Sequence, residues 1–402
     1  MSAVLSLSEQ SAEAHCTDVV LVGVGSIGRE LLTQLSSTKK GVSSKLRVCA
    51  LVDSTGYVLD TNGLSRRALL ALCDHKRQGH PLHESPAGQV ADPLNAAAFI
   101  AAQLSGKPVL IDATAADTRA MLEIVLERGW DVILANKVPI AGEQALFDRL
   151  YATARVGGGE ILHEATVGAG LPVIDTLRKL VESGDRVQAI EGCPSGTLGF
   201  LFGQLGRGAS FSEALRDAIA AGYTEPDPRI DLSGLDVARK ALILARIIGF
   251  RGDLHAVRTE TLVPAELRDV SRDEFLARAS ELDAPWAARV EAARVRGTVL
   301  RYRAKATRRG VRVGLEEVPV THPLSLLEGT DNQFSFTTAR YDANPLVITG
   351  PGAGAAVTAA GVFNDLLRVV AERARGVKAP PFRRASEARE TTPTPALGSS
   401  GW

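Results

Sequence analysis

The sequence predicts an α/β fold in which a doubly wound parallel sheet is followed by a second, mixed α+β domain. Short β-branched runs alternate with helical stretches over the first 150 residues, as βαβ units do. A glycine-rich turn, GVGSIG (23–28), joins the first run to a helix, and from about residue 151 the later runs alternate in the manner of antiparallel hairpins.

In chain order, DVVLVGV (18–24), LRVCALVD (46–53), PVLIDAT (108–114) and DVILAN (131–136) read as strands, with SIGRELLTQL, NAAAFIAAQL and RAMLEIVLERG as helices between them. Further strands are expected in GEILHEATVG, DRVQAIEGC, GTVLRYRAKATRRGVRVGLEEVPV and QFSFTTA, and helices at about 172–183, 212–221, 233–248 and 271–281. A second glycine-rich segment, LVITGPGAGAAVTAAGVFNDLLRVV (346–370), runs from a strand into a helix that returns to cover the first domain. This divides the chain into a first domain at 17–150 with 345–375 and a second at 151–344, between polar tails at 1–16 and 376–402 whose composition suits disorder.

Composition excludes several classes of function. At 402 residues the chain is long enough for two domains with sizeable cores, and 46 basic residues balance 46 acidic ones. No sequence-wide attraction to nucleic acid or to an anionic membrane is therefore expected. Cys16, Cys49, Cys73 and Cys193 form no CxxC pair, so neither a disulfide framework nor a structural zinc site is indicated, and a reducing cytoplasm fits best. His15, His75, His80, His83, His255 and His322 show no metal-ligand spacing. No basic residue precedes Arg29, which argues against a targeting peptide, and no apolar run approaches the roughly 20 residues of a membrane helix. A soluble protein is expected.

Chemistry begins at GVGSIG. After a strand and before a helix, Gly23 permits the tight turn, Gly25 lets backbone approach a pyrophosphate and Gly28 lets helix and strand pack, while Ser26 and Ile27 open a helix whose N-terminus attracts the anion. That is a Rossmann-type dinucleotide site, and Asp53, closing the second strand, is placed to hold a ribose 2′-hydroxyl and favour NAD. Arg66 and Arg67 lie nearby in sequence and would instead suit NADP, so both cofactors stay open. For Gly352 and its neighbours, cofactor contact and simple packing are equally good readings.

The stretch GYTEPDPRIDLSGLDVARKALILAR (222–246) is acid-rich and then helical. Prolines at 226 and 228 exclude regular helix over Tyr223–Pro228, while Val237, Ala241, Leu244, Ala245 and Ile248 recur at helical spacing. Asp236 and Lys240 are four apart and share a face. Alone, they would be an ordinary surface pair worth roughly 0.3–0.5 kcal/mol. Beside Glu225, Asp227 and Asp231 they suggest more: acids at a helix mouth suit a substrate ammonium, and a lysine one turn in suits proton donation to a developing alkoxide.

This stretch closely resembles the signature region of homoserine dehydrogenases, and LANKVPIAG, HEATVGAGLPVIDTLR, EGCPSGTLGFLFGQL and GPGAGAAVTAAGVFNDLL agree with the same family. The resemblance runs from about Val19 to Arg375 and is greatest to the dehydrogenase portion of bifunctional aspartate kinase-homoserine dehydrogenases. It implies NAD(P)H-dependent interconversion of L-aspartate 4-semialdehyde and L-homoserine, in threonine and methionine biosynthesis. It further implies Lys240 as general acid in the reductive direction, Asp236 and Glu225 as substrate ligands, Lys137 between substrate and nicotinamide, and Thr114 against the cofactor. Backbone carbonyls of Glu164, Val167, Ala169 and Leu171 would surround a sodium ion, and the second domain would make a homodimer through its strands. No kinase-length segment or ACT-type regulatory domain is expected, and hence little sensitivity to threonine. One departure is Ser-Gly-Thr (195–197), where many monofunctional relatives have Asn-Gly-Thr.

A lysine of ordinary pKa, about 10.4, is protonated at neutral pH, so oxidation of homoserine should accelerate toward alkaline pH. Two other classes fit parts of the sequence. One is a phosphorylating semialdehyde dehydrogenase with Cys193 as nucleophile and His163 as base; the other is a non-catalytic dinucleotide sensor.

Overall fold

A computed structural model describes residues 16–37 and 45–375, so the tails expected at 1–16 and 376–402 lie outside it apart from Cys16. The chain forms two compact units. The first comprises the described residues up to Ile140, Ala145–Leu171 and those from Ala353; the second comprises Ala141–Gln144 and Pro172–Gly352.

The first unit is built on seven strands: β1 (Thr17–Val22), β2 (Leu46–Val52), β3 (Gly56–Leu59), β4 (Gln89–Val90), β5 (Val109–Asp112), β6 (Asp131–Leu134) and β7 (Ile161–Leu162). Their order is β4-β3-β2-β1-β5-β6-β7. β1 pairs in parallel with both β2 and β5, and β6 and β7 continue that side in parallel, while β3 and β4 add an antiparallel edge. The chain thus builds outward from β1 in one direction and then crosses to build in the other, which opens a crevice beyond the ends of β1, β2 and β5. Helices α1 (Ser26–Ser37), α2 (Arg66–Arg77), α3 (Pro93–Gln103), α4 (Arg119–Glu127) and α5 (Gln144–Gly157) connect the strands. A return helix, Ala355–Ala374, buries Ala359, Val362, Leu366 and Val369 at helical spacing in one core with Leu31, Leu32 and Leu35 of α1 and Val19 and Leu21 of β1. Each fully buried Leu or Val contributes roughly 1.5–3 kcal/mol relative to exposure.

The second unit carries β8 (Val187–Cys193), β9 (Arg258–Thr259), β10 (Thr298–Thr307), β11 (Gly310–Pro319), β12 (Asp331–Thr338) and β13 (Leu346–Pro351), ordered β13-β12-β8-β10-β11-β9. All pairs are antiparallel except β9 with β11. The β10–β11 hairpin keeps register from Thr298↔Pro319 to Thr307↔Gly310, which sends Leu300, Tyr302, Ala304 and Ala306 to one face and Arg301, Arg303 and Lys305 to the other. Helices α6 (Val173–Glu182), α7 (Gly196–Gly206), α8 (Phe211–Ala220), α9 (Pro228–Leu232), α10 (Leu235–Ile247), α11 (Arg272–Arg278) and α12 (Asp283–Val295) complete the unit, with α7 and α10 packed on β10.

Two expectations change. The division expected near residue 150 falls at Leu171/Pro172, because Ile161–Leu162 pairs in parallel with β6 and extends the first sheet. The return expected from 345 begins at Ala353, because β13 pairs with β12 in the second sheet. A two-residue strand has no periodicity to read, and strand pairing is not local information. Among the described residues, no helix is long and apolar enough to cross a membrane.

Candidate functional site

In the first unit, a cleft of about 590 Å³ lies where the strand order reverses, lined by the residues that follow β1 (Gly23, Val24, Gly25), β2 (Asp53, Ser54) and β5 (Ala113, Thr114) together with Arg29 and Lys76. Gly23 takes φ +93°, and its N–H donates to the Val52 carbonyl at 2.8 Å, so the turn is both left-handed and pinned to β2. A Cβ at Gly28 would overlap the Gly23 carbonyl, whereas one at Gly25 would meet nothing within 4 Å. The open space lies where backbone must approach an anion, and α1 starts there at Ser26 with no acid in its first turn. These residues fit a dinucleotide pyrophosphate.

Asp53 sits beside this cleft but is fully engaged by protein. Its Oδ1 accepts from the Thr55 N–H (2.8 Å) and hydroxyl (2.6 Å) and the Gly56 N–H (3.1 Å), and its Oδ2 from Lys76 Nζ (2.6 Å) and the Leu82 N–H (3.0 Å). Burial works to raise its pKa, but these donors outweigh it and hold the carboxyl below its usual value. With five donors on two oxygens, little capacity remains for a ribose hydroxyl. Arg66 and Arg67 stand exposed at the start of α2, and it is Lys76, in that helix's last turn, that lines the cleft. Sequence reasoning missed Lys76, whose only signal was its place in a helix ending near the cofactor crevice.

Thr114 lines the same cleft, with its hydroxyl donating to Asp112 Oδ1 at 2.8 Å. Asp112 is fully buried; its Oδ2 accepts from Thr118 (2.6 Å) and from Asn136 Nδ2 (2.9 Å), and Asn136 Oδ1 accepts the Val138 N–H (3.0 Å). This network ties the loop after β5 to the loop after β6 and brackets Lys137, a half-buried residue between Asn136 and Val138. Neither Asp112 nor Asn136 was singled out from sequence, although an acid ending a buried strand was a legible signal.

The turn carrying Glu164, Val167, Ala169 and Leu171 belongs to the first unit. Ala169 adopts φ +56°, the one left-handed non-glycine among the described residues, next to Gly168 at +81°. Such strain in a non-glycine costs on the order of 1 kcal/mol and marks a turn whose carbonyl directions matter. Asp365 of the return helix accepts the Glu164 N–H at 2.9 Å and fixes the start of the turn.

In the second unit the acid stretch gathers around the N-terminus of α7. Lys240 Nζ donates to the Pro194 carbonyl at 2.7 Å and pairs with Asp236 Oδ2 at 2.8 Å. Asp231 Oδ2 accepts the Glu225 N–H at 2.9 Å, and its Oδ1 lies 2.9 Å from the Thr197 hydroxyl. That hydroxyl also stands 2.5 Å from the Tyr223 carbonyl, and it has one proton for the two acceptors. The Thr197 hydroxyl proton is therefore shared between the Asp231 carboxyl and the Tyr223 carbonyl. Burial raises the Asp231 pKa, aided by the charge of Asp236 and opposed by the Glu225 and Thr197 contacts. The structure therefore brings Glu225, Asp231, Asp236 and Lys240 together, and makes Asp231 a support of the Glu225 loop. Gly352 belongs to this unit, where a Cβ would overlap the Asn332 side chain. Cys193 is buried beside Val318, Leu324 and Leu327, and burial pushes its thiol up to about 12, unsuited to a thiolate nucleophile.

A glycine turn at the reversal point of a parallel sheet makes this a dinucleotide-binding fold. The family profile described as "Homoserine dehydrogenase, NAD binding domain" matches residues 23–164, and that described as "Homoserine dehydrogenase" matches 172–367. The chain belongs to the homoserine dehydrogenase family, and its first part matches that family's NAD-binding domain. It is 34% identical to the homoserine dehydrogenase of Schizosaccharomyces pombe over 377 residues, covering 90% of this chain and 97% of that one. It is 39% identical to the bifunctional aspartokinase/homoserine dehydrogenase of Haemophilus influenzae over 88% of this chain, but spans only 43% of that relative's length. Among solved structures, a Candida auris protein described as of unknown function superposes with a TM-score of 0.78 at 33% identity, covering 89% of this chain and 99% of that one.

Proposed function

We propose that the chain interconverts L-homoserine and L-aspartate 4-semialdehyde, with Lys240 transferring the proton. The observation that carries this is the bonding of Lys240: two of its three N–H groups are given to Asp236 and Pro194, leaving the third for a substrate oxygen. Bound NAD(P) supplies or accepts the hydride. In reduction, the aldehyde oxygen gains negative charge as its carbon is reduced, and the Lys240 ammonium protonates it. In oxidation, the neutral amine takes the hydroxyl proton as the C–H electron pair leaves. Asp236 holds the lysine on its face of α10, and Glu225 receives the substrate α-ammonium; Lys137, in the first unit, is a catalytic candidate through the family resemblance alone.

NADP is favoured at the adenosine end, because Asp53 is neutralised by Lys76 and Lys76 lines the cleft. A sodium ion held by the carbonyls of Glu164, Val167, Ala169 and Leu171 is supported by the strain at Ala169 and would stiffen the turn. A homodimer through the strands of the second sheet rests on the family resemblance alone. Four free cysteines suit a reducing compartment such as the cytoplasm. The domains follow the two units, cofactor in the first and substrate in the second.

Absorbance at 340 nm with L-homoserine and either cofactor at pH 9 tests the reading. Lys240→Ala should lose roughly 100-fold or more in kcat while binding cofactor as before. Cofactor binding without turnover in the unmodified protein would point to a sensor instead.

A further inference from the structure

Two prolines do not by themselves fix the direction of Glu225, whose side chain is exposed in a loop with no regular structure before α9. Two arginines do. Arg229 forks onto Asp227 through Nε (3.0 Å) and Nη2 (2.7 Å), while its Nη1 donates to the carbonyls of Leu267 (3.3 Å), Arg268 (3.1 Å) and Val270 (2.6 Å). The guanidinium also lies over the Phe275 ring, 5.5 Å from its centroid. Arg272, from the first turn of α11, donates through Nε to the Pro226 carbonyl at 2.7 Å. With the Glu225 N–H held by Asp231, the loop is gripped on both sides of Glu225.

We propose that Arg229 and Arg272 are positioning residues for substrate recognition, clamping the Glu225 loop onto the 267–270 turn. This rests on Glu225 as the ligand of the substrate ammonium. The ammonium lies away from the reacting carbon, so a misplaced Glu225 weakens ground-state and transition-state binding alike. The signature is a raised homoserine KM with little change in kcat.

The test is steady-state kinetics at saturating cofactor for Arg272→Gln, Arg272→Lys, Arg229→Gln and Glu225→Gln, with melting temperatures alongside. Arg272 is exposed, so its replacement spares folding. Arg272→Gln should raise the homoserine KM about 10-fold with kcat within about threefold and cofactor KM unchanged, Arg272→Lys should restore part of this, and Arg229→Gln should exceed it. Unchanged homoserine KM in both arginine variants, beside a raised KM in Glu225→Gln, would overturn the clamp and leave Glu225 as substrate ligand. An unchanged KM in Glu225→Gln would remove that role and the clamp with it. Parallel losses of melting temperature, kcat and cofactor affinity would make the arginines merely structural.

Discussion

On the proposed preference for NADP, replacing Lys76 by Ala should weaken NADP binding and leave NAD nearly unchanged. Lys76 gives one N–H to Asp53 at 2.6 Å and keeps two for a ligand, and the pair is close to neutral as a unit. The variant leaves the Asp53 carboxylate charged, still held by Thr55, Gly56 and Leu82, beside the position of a 2′-phosphate carrying about −1.5 to −2 charges. A lost charge-assisted hydrogen bond is worth roughly 1.5–3 kcal/mol, equivalent to roughly 10- to 150-fold in Kd. NAD, with no phosphate there, should change by less than about threefold. Fluorescence titration of the reduced cofactors, NADPH and NADH, into both proteins measures this directly, and raised salt should shrink the difference as the charges are screened. An unchanged NADPH Kd, or an equal loss for NADH, would refute the reasoning, because either would mean that Lys76 does not meet the phosphate.

Other outcomes follow from single positions. Gly234 adopts φ +75° where α10 begins, and a Cβ there would overlap the Tyr302 hydroxyl, itself donating to the Glu260 carbonyl at 2.5 Å. Gly234→Ala should cost about 2–4 kcal/mol in urea unfolding, and Tyr302→Phe should recover part of it; full additivity of the two changes would refute the overlap. Alkylating agents should leave activity intact while the protein is folded, since Cys193 is buried with its thiol raised to about 12; rapid inactivation would restore a thiolate mechanism. Asp231 has a raised folded pKa, so its contribution to stability is present below the unfolded carboxylate value of about 3.9 and is lost as pH rises through the folded value. Asp231→Asn cannot ionise, and its amide oxygen can still accept the Glu225 N–H. Its stability relative to the unmodified protein should improve as pH rises above about 3.9, and a pH-independent difference would count against a raised Asp231 pKa.

Much of the site was readable along the chain because the relevant residues are close in sequence. GVGSIG is a turn legible from its left-handed Gly23 and from Gly28, which packs on the Gly23 carbonyl, although the space at Gly23 is closed by the distant Ala113 and Thr114; Asp236 and Lys240 share a helix face by spacing alone. The acid loop declared itself through its prolines. What could not be read were partners brought from far away: Lys76 to Asp53, Asn136 to Asp112, Pro194 to Lys240, and the 267–270 carbonyls to Arg229.

The role of Asp53 shows the distinction most plainly. Its position at the end of β2 followed from a strand pattern and a distance along the chain, and both hold. Whether its carboxylate faces a ribose or is spent on protein depends on where α2 ends and on which backbone N–H groups close around it. By itself the sequence determined the elements, the glycine turn and the lysine–aspartate pair, because helical and strand periodicity and steric demands at a turn act over a few residues. Only the tertiary structure decided which carboxylates stay available, which are neutralised, and where one unit gives way to the other, because hydrogen-bond capacity, burial and strand pairing are set by residues tens to hundreds of positions apart.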